Sequence, residues 1–254
     1  MKIVVCVKQV AVLGDEVEFT DDARDVDADF LDASLNEWDS YATEEALRIR
    51  EKAGSGGDEI VVVSVGVGDV EPAVRRCLAM GADRAIRIDY SGSRDPITIA
   101  RLLAPEVRAE SPDLVFCGVQ SSDAVQAAVG TALAELLDFP RVAVVTRIEW
   151  DPGAGRATVD RELEGGLVDV TEVDTPALLT IQTGINQPRY ATLRAIKHAE
   201  QKQIQVVPPR EEGEPAYRLR RMFAPPKGEG AELLDGSAAD IARRIAGILQ
   251  ERLK

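Results

Sequence analysis

Glu59-Ile60-Val61-Val62-Val63-Ser64-Val65 is followed by Gly66-Val67-Gly68-Asp69 and then by the segment 70–80. The first run is apolar almost without interruption and rich in β-branched residues, the pattern of a strand buried on both faces. The last segment carries apolar residues at i, i+3, i+4 spacing, which predicts a helix. The same pairing recurs over the first 140 residues, with strands predicted at 3–7, 84–89 and 113–118 and helices at 41–52, 96–109 and 123–137. Continuous apolar strands separated by helices form a parallel sheet covered on both faces. The expected fold is therefore α/β, a three-layer, doubly wound, mostly parallel sheet. Asp69 and Asp95-Pro96 read as helix N-caps, the second with proline at the first helical position. Met80-Gly81 reads as a helix end.

The acidic run 15–32 is too long for a simple βα turn and predicts a small hairpin or excursion. From Arg141 the rhythm changes. Strands are predicted at 141–150, 157–162, 167–173 and 177–182, joined by Asp151-Pro152-Gly153-Ala154-Gly155 and Gly165-Gly166, and they read as an antiparallel addition to the main sheet. After Ile204 the pattern lapses. Val207-Pro208-Pro209 and Ala224-Pro225-Pro226 mark extended segments, and 237–253 forms an amphipathic helix with Ile241, Ile245, Ile248 and Leu249 on one face. An arm and a terminal helix without a core of their own suggest docking on another subunit.

The formal charge of −14 disfavours nucleic acid and anionic membrane as partners. No apolar run reaches the length of an integral membrane segment, and Met1 to Val7 reads as a first strand rather than a signal peptide. Cys6, Cys77 and Cys117 lie in apolar surroundings without Cys-x-x-Cys spacing, as buried reduced thiols of a cytoplasmic protein do. One histidine and no clustered ligands argue against a metal site and against Ser-His or Cys-His catalysis.

Ligands of doubly wound sheets bind at the carboxyl ends of the parallel strands, beside helix N-termini. Three such ends carry suitable residues: Val7-Lys8-Gln9-Val10, Ser64 to Asp69, and Gly118-Val119-Gln120-Ser121-Ser122-Asp123 leading into the helix that contains Gly130. Small and hydroxyl residues beside helical amides suit a phosphate and a flat adenine. None is a Walker A loop, and each taken singly reads equally well as an ordinary βα turn. The stretch 158–204 offers few acids, bases or nucleophiles, and its polar, proline-pinned loop carries one exposed apolar residue. It points to a protein that works by holding a partner.

Several segments together resemble the β subunits of electron-transfer flavoproteins. They are Val5-Cys6-Val7-Lys8, Leu35-Asn36-Glu37-Trp38-Asp39, Ala42-x-Glu44-Glu45-Ala46-Leu47, Ala79-Met80-Gly81-Ala82-Asp83-Arg84, Val159-x-Arg161-Glu162-x-x-Gly165-Gly166, Pro176-Ala177-Leu178-Leu179-Thr180 and Asn186-x-Pro188-Arg189-Tyr190-Ala191-Thr192-Leu193. The resemblance implies a Rossmann-like domain of the adenine nucleotide alpha hydrolase type over 1–204, with a partner-recognition loop near 184–200, and a C-terminal arm and helix over 205–254 that embrace a larger, FAD-carrying α subunit. It implies AMP bound structurally in the β subunit or, in electron-bifurcating members, a second FAD with NADH as donor. The nucleotide contacts it implies are Cys6, Val7, Lys8, Asn36, Trp38, Asp39, Val65, Gly118, Gln120, Ser121, Ser122, Asp123, Gln126, Val129 and Gly130. Arg161, Glu162, Tyr190 and Leu193 are the implied partner contacts, Leu193 being the apolar tip offered to acyl-CoA dehydrogenase-like donors, with a quinone-linked oxidoreductase as acceptor. No catalytic residue is implied. The chain departs from the family at Ala128-Val129-Gly130, which stands where a Gln-Thr-Gly step is common. Phosphate contacts then fall to backbone amides, Ser121, Ser122 and Gln126.

Overall fold

Residues 1–14, 17–27, 29, 31–54, 58–211, 213–226 and 230–253 are described by the computed structural model. The chain begins with β1 (Lys2–Cys6), followed by the antiparallel pair β2 (Gln9–Leu13) and β3 (Leu31–Leu35). Then come α1 (Glu37–Ala53), β4 (Glu59–Val65), α2 (Glu71–Met80), β5 (Arg84–Ile88), α3 (Pro96–Glu110), β6 (Leu114–Gly118) and α4 (Val129–Leu137). The second half supplies β7 (Arg141–Asp151), β8 (Arg156–Glu162), β9 (Val168–Asp174), β10 (Ala177–Ile181), α5 (Leu193–Gln201), β11 (Ile204–Val207) and α6 (Ala238–Arg252).

The main sheet has nine strands in the order β11-β5-β4-β1-β6-β10-β7-β8-β9. From β11 to β7 every pairing is parallel; β8 and β9 continue antiparallel. Ile3, Val5, Ile60, Val62, Phe116 and Leu179 pack with Ala42, Leu47 and Val74 of α1 and α2 on one face. Val4, Val61, Val115 and Leu178 pack with Leu103, Val107 and Leu133 of α3 and α4 on the other. This is the doubly wound architecture expected, and its strands are apolar on both sides because both sides are covered. From β1 the chain moves outward to β4 and β5, then crosses back to β6 on the opposite flank of β1. The topological switch point therefore lies between β1 and β6, the place where such sheets open a crevice.

Several boundaries differ from the sequence reading. β7 and β10 are not part of an antiparallel addition: β10 is inserted between β6 and β7 and runs parallel to both, so only β8 and β9 are added. Helix α4 starts at Val129 rather than 123, because Val125 and Ala127 take left-handed φ values of 51° and 49° and break the helical path. Helix α1 starts at Glu37, earlier than 41. Asp69 does not cap: it lies inside a short 3-10 turn, Gly68–Val70, and no side chain caps α2. Asp95 does cap α3, accepting from the Ile97 and Thr98 amides. Past Ile204 the chain makes one more strand, β11, paired parallel to β5 at the edge. The acidic run is a hairpin, with Phe19 bridged to Val26; its residues 15, 16, 28 and 30 lie outside the described residues, as do residues 212 and 227–229 of the arm. Helix α6 is capped by Ser237, whose side chain accepts from the Asp240 amide, and its Ile245, Ile248 and Leu249 are exposed.

Phe116, fully buried on the central strand β6, is the largest side chain in the core beneath α1. Phe116→Ala is expected to cost about 3–5 kcal/mol, lost burial plus cavity. A denaturation midpoint unchanged from the parent would show that the core closes over the gap.

Candidate functional site

The switch point is tied together by the first turn of α1. Asn36 precedes the helix, yet its side chain does not cap it. Its Nδ2 donates to the Gln120 carbonyl at 2.9 Å and its Oδ1 accepts from the Ser122 amide at 3.2 Å. Asp39, one turn in, accepts from the Lys8 amide at 2.7 Å through Oδ2 and from the Gly118 amide at 3.0 Å through Oδ1. One carboxylate thus joins the end of β1 to the end of β6. A Cβ on Gly118 would stand 2.4 Å from Asp39 Oδ1 and 2.6 Å from Trp38 Cβ, so the close approach requires glycine. Burial pushes the Asp39 carboxyl up to about 7, against the pull of the Lys8 amide, the Asn36 side chain and the Gly118 amide.

Around this clasp the loop from Gly118 to Ala128 is held by side chains. Lys8 Nζ pairs with Asp123 at 2.6 Å and donates to Ser121 Oγ at 3.1 Å. Burial opposes ionisation of Asp123, but its bonds from Lys8 and Ser121 hold the carboxyl below its usual range. The Trp38 indole donates to Gln182 Oε1 at 2.8 Å, just past β10. Gln126 Nε2 donates to the phenol oxygen of Tyr217, from the C-terminal arm. Val125 is β-branched and left-handed, a backbone state that costs about 1–3 kcal/mol and persists only where surrounding contacts impose it.

Of the residues singled out in the sequence, Lys8, Asn36, Trp38, Asp39, Gly118, Gln120, Ser121, Ser122 and Asp123 are brought into this one cluster. Cys6 and Val7 are buried beneath it, and Cys6 is in register with Cys117 across β1 and β6. The hydrogen bond that Cys117 makes with Cys6, reinforced by burial, raises the Cys117 thiol well above its usual range, so Cys117 does not invite thiolate chemistry. Val65 ends the neighbouring strand β4, two strands from β6. Val129 and Gly130 open α4, where a Cβ on Gly130 would come within 2.7 Å of Thr180 Cγ2. Gln126 is exposed, as are its neighbours from Ser122 to Ala127.

The other singled-out residues form two separate surfaces. Arg161 and Glu162 end β8, beside the turn made by Gly165 and Gly166 at φ 79° and 76°, and the neighbouring Leu167, Val168 and Val170 are exposed. Tyr190 and Leu193 are 93% and 80% exposed, Leu193 being the first residue of α5. Their loop is fastened to α1. Arg189 donates from Nε and Nη2 to Glu44 at 2.8 and 3.0 Å and from Nη1 and Nη2 to Glu51 at 2.6 and 3.1 Å. Asn186 Nδ2 donates to Glu45 Oε2 at 2.9 Å and to the Tyr41 carbonyl at 3.0 Å. Arg189 holds the Glu51 carboxyl below its usual range.

The sequence reading missed this pairing of Glu44, Glu45 and Glu51 with Asn186 and Arg189, although most of these residues stood in the motifs quoted; acidic residues at 44 and 51, two helical turns apart, were the available signal. It also missed Gln182 and Tyr217, for which the sequence carries none. Among the described residues no cluster of His, Cys, Asp or Glu is arranged to hold a metal ion. No helix among the described residues is long and apolar enough to cross a membrane.

Residues 26–212 of the chain match the family model of the electron transfer flavoprotein domain. The chain is 44% identical to electron transfer flavoprotein subunit beta of Methylophilus methylotrophus, over 99% of this chain and 98% of that one. It is 38% identical to the mitochondrial subunit beta of Arabidopsis thaliana over 80% of each chain, and 33% identical to subunit beta of Bacillus subtilis over 87% of each. The chain belongs to the electron transfer flavoprotein β-subunit family.

Two expectations follow from the clasp and the fastening. In the folded protein Asp39 keeps its proton to about pH 7, whereas the unfolded chain releases it near 3.8. The folded state binds more protons in that window, so this group's contribution to stability is full below about pH 4, falls as the pH rises and levels off above about pH 7. Asp39→Asn is expected to flatten melting temperature against pH across that window; an equal slope would remove Asp39 as its source. Arg189→Ala leaves the buried Glu44 carboxylate with the backbone amide of residue 189 but without its guanidinium donors, costing about 1–3 kcal/mol. Amide hydrogen exchange should accelerate over residues 183–192, and unchanged exchange there would mean the loop is held by other contacts.

Proposed function

We propose that this chain is the non-catalytic subunit of a heterodimeric electron carrier, binding AMP structurally at the switch point and presenting the loop around Leu193 to an electron donor. Its partner in this reading is a FAD-carrying α subunit, embraced by the arm with α6 and met by the β8–β9 turn with Arg161 and Glu162. The donor is of the acyl-CoA dehydrogenase type, and a quinone-linked oxidoreductase receives the electrons. When bound to the α subunit, the flavin supplies the redox chemistry; the residues of this chain bind, orient and shield.

The observation that carries the docking role is the contrast at residues 186–193. Asn186 and Arg189 are fastened to α1 by charged hydrogen bonds, while Tyr190 and Leu193 stand almost fully in solvent. A rigid base under a small apolar tip favours contact that forms without ordering cost and dissociates readily. A mononucleotide fits the strand-end cluster because its phosphate would meet the Lys8 ammonium, the Ser121 hydroxyl and the amides opening α4, which favour negative charge. The left-handed residues Val125 and Ala127 support a ligand-shaped loop, since such strain gathers at functional sites. The ties from Lys8 to Asp123 and from Gln126 to Tyr217 narrow the loop's mouth, which favours AMP over a second FAD.

Two measurements test this. Denaturing the purified heterodimer is expected to release AMP and FAD in equal amounts; two FAD and no AMP would replace the carrier with a bifurcating enzyme that takes hydride from NADH. Leu193→Ala is expected to slow electron transfer from the dehydrogenase roughly ten-fold, the loss of about one apolar anchor, with nucleotide content unchanged. A transfer rate equal to the parent's would sink the docking role.

A further inference from the structure

The arm does not leave the domain directly. Arg210 pairs with Glu106 of α3 at 2.7 Å, and Glu106 is buried. Next, Arg101 Nη1 donates to the Glu214 carbonyl at 3.3 Å, and the Ala216 amide donates to Asp95 Oδ1 at 3.4 Å. A Cβ on Gly213 would stand 2.4 Å from Arg101 Nη1, so the arginine's end lies directly against the chain here. These contacts lay Gly213 to Tyr217 along α3 toward its N-terminus, at the carboxyl end of the sheet. Tyr217 then reaches Gln126, in the loop that carries Ser121, Ser122 and Asp123.

The donor in that last contact is the Gln126 amide, and the phenol oxygen accepts. A phenol is donor and acceptor at once. Its hydrogen is therefore left to be given to a further acceptor, a role a phosphate or ribose oxygen can fill. The contact also spans the two left-handed residues, Val125 and Ala127, whose strain has to be imposed from outside the loop.

We propose that Tyr217 is a residue of the nucleotide site: the arm segment Gly213 to Tyr217 is a strap whose tyrosine closes over the loop 121–128 and donates to the bound adenine mononucleotide. This rests on the reading of the switch point as a nucleotide site. It makes the arm serve two ends, since the segment beyond Tyr217 leads to the unpartnered α6. Nucleotide retention and subunit docking then share one piece of chain.

The test is nucleotide release from the intact heterodimer, followed by exchange of bound AMP for a fluorescent AMP analogue. Tyr217→Phe removes only the hydroxyl, and the exchange rate is expected to rise roughly five-fold, the worth of one hydrogen bond. Tyr217→Ala, which also uncovers the loop, is expected to rise further. In a double-variant cycle, Gln126→Ala with Tyr217→Phe should speed exchange by less than the product of the two single effects, because Gln126 positions the phenol that donates to the nucleotide. Exchange unchanged in both Tyr217 variants, or fully additive with Gln126→Ala, would overturn the strap while leaving the nucleotide site in place. A parent heterodimer that holds no adenine nucleotide would overturn the site, and the strap with it.

Discussion

A single buried carboxylate fixes the relation of the two strand ends on which the site is built. Asp39 spans from the Lys8 amide to the Gly118 amide, beneath the further ties that Asn36 and the Lys8 ammonium make between the same two ends. Both amides lie at the ends of their strands, where each otherwise needs water or another acceptor. Supplying both from one side chain leaves little freedom in the crevice between them. The arrangement explains why Gly118 has no side chain: the acceptor stands where a Cβ would be. It also explains why α1 begins as it does, with Asn36 reaching across to residues 120 and 122 instead of capping its own helix.

The same helix organises the second surface from its other end. Three acidic residues of α1 receive the Asn186 to Arg189 loop, with Glu44 buried and Glu51 exposed. Arg189 meets both in a planar, multidentate geometry that a lysine cannot reproduce. α1 is thus a rigid strut between the strand-end cluster and the exposed Tyr190 and Leu193. Its apolar face is buried against β1, β6 and β10, so neither end can shift without disturbing the core.

What the sequence displayed, and what it hid, follows from the range of the forces involved. The parallel strands were legible because burial on both faces leaves a continuous apolar run, as in Ile60 to Val63. The place of β10 was not: nothing local in Ala177 to Ile181 distinguishes a strand inserted between β6 and β7 from one appended to a hairpin. The start of α4 was misread because Ala124, Gln126, Ala127 and Ala128 are good helix formers, and only tertiary ties from Lys8 and Tyr217 hold them out of the helix. β11 is four residues long and abuts Pro208-Pro209, so its pairing with β5 outweighs a local pattern that reads as arm. The strand-end residues were legible as types, Lys8, Ser121 and Asp123, but not as a network, since their partners lie more than a hundred residues away.

The contrast between the two surfaces bears on what a carrier needs. At the strand ends, polar side chains are tied to one another, and the loop there is strained yet held at Asn36, Lys8 and Gln126. Such a site gains little from opening and is suited to a ligand that stays. At Tyr190 and Leu193 the opposite holds: two apolar side chains face solvent on a base that does not move. Their exposed area supports only a small interface, and small preformed interfaces dissociate quickly because little has to be disordered on release. Under the proposed function, fastening both to α1 would let a bound nucleotide stiffen the platform for the electron donor, so that tight binding at one end does not become tight binding at the other.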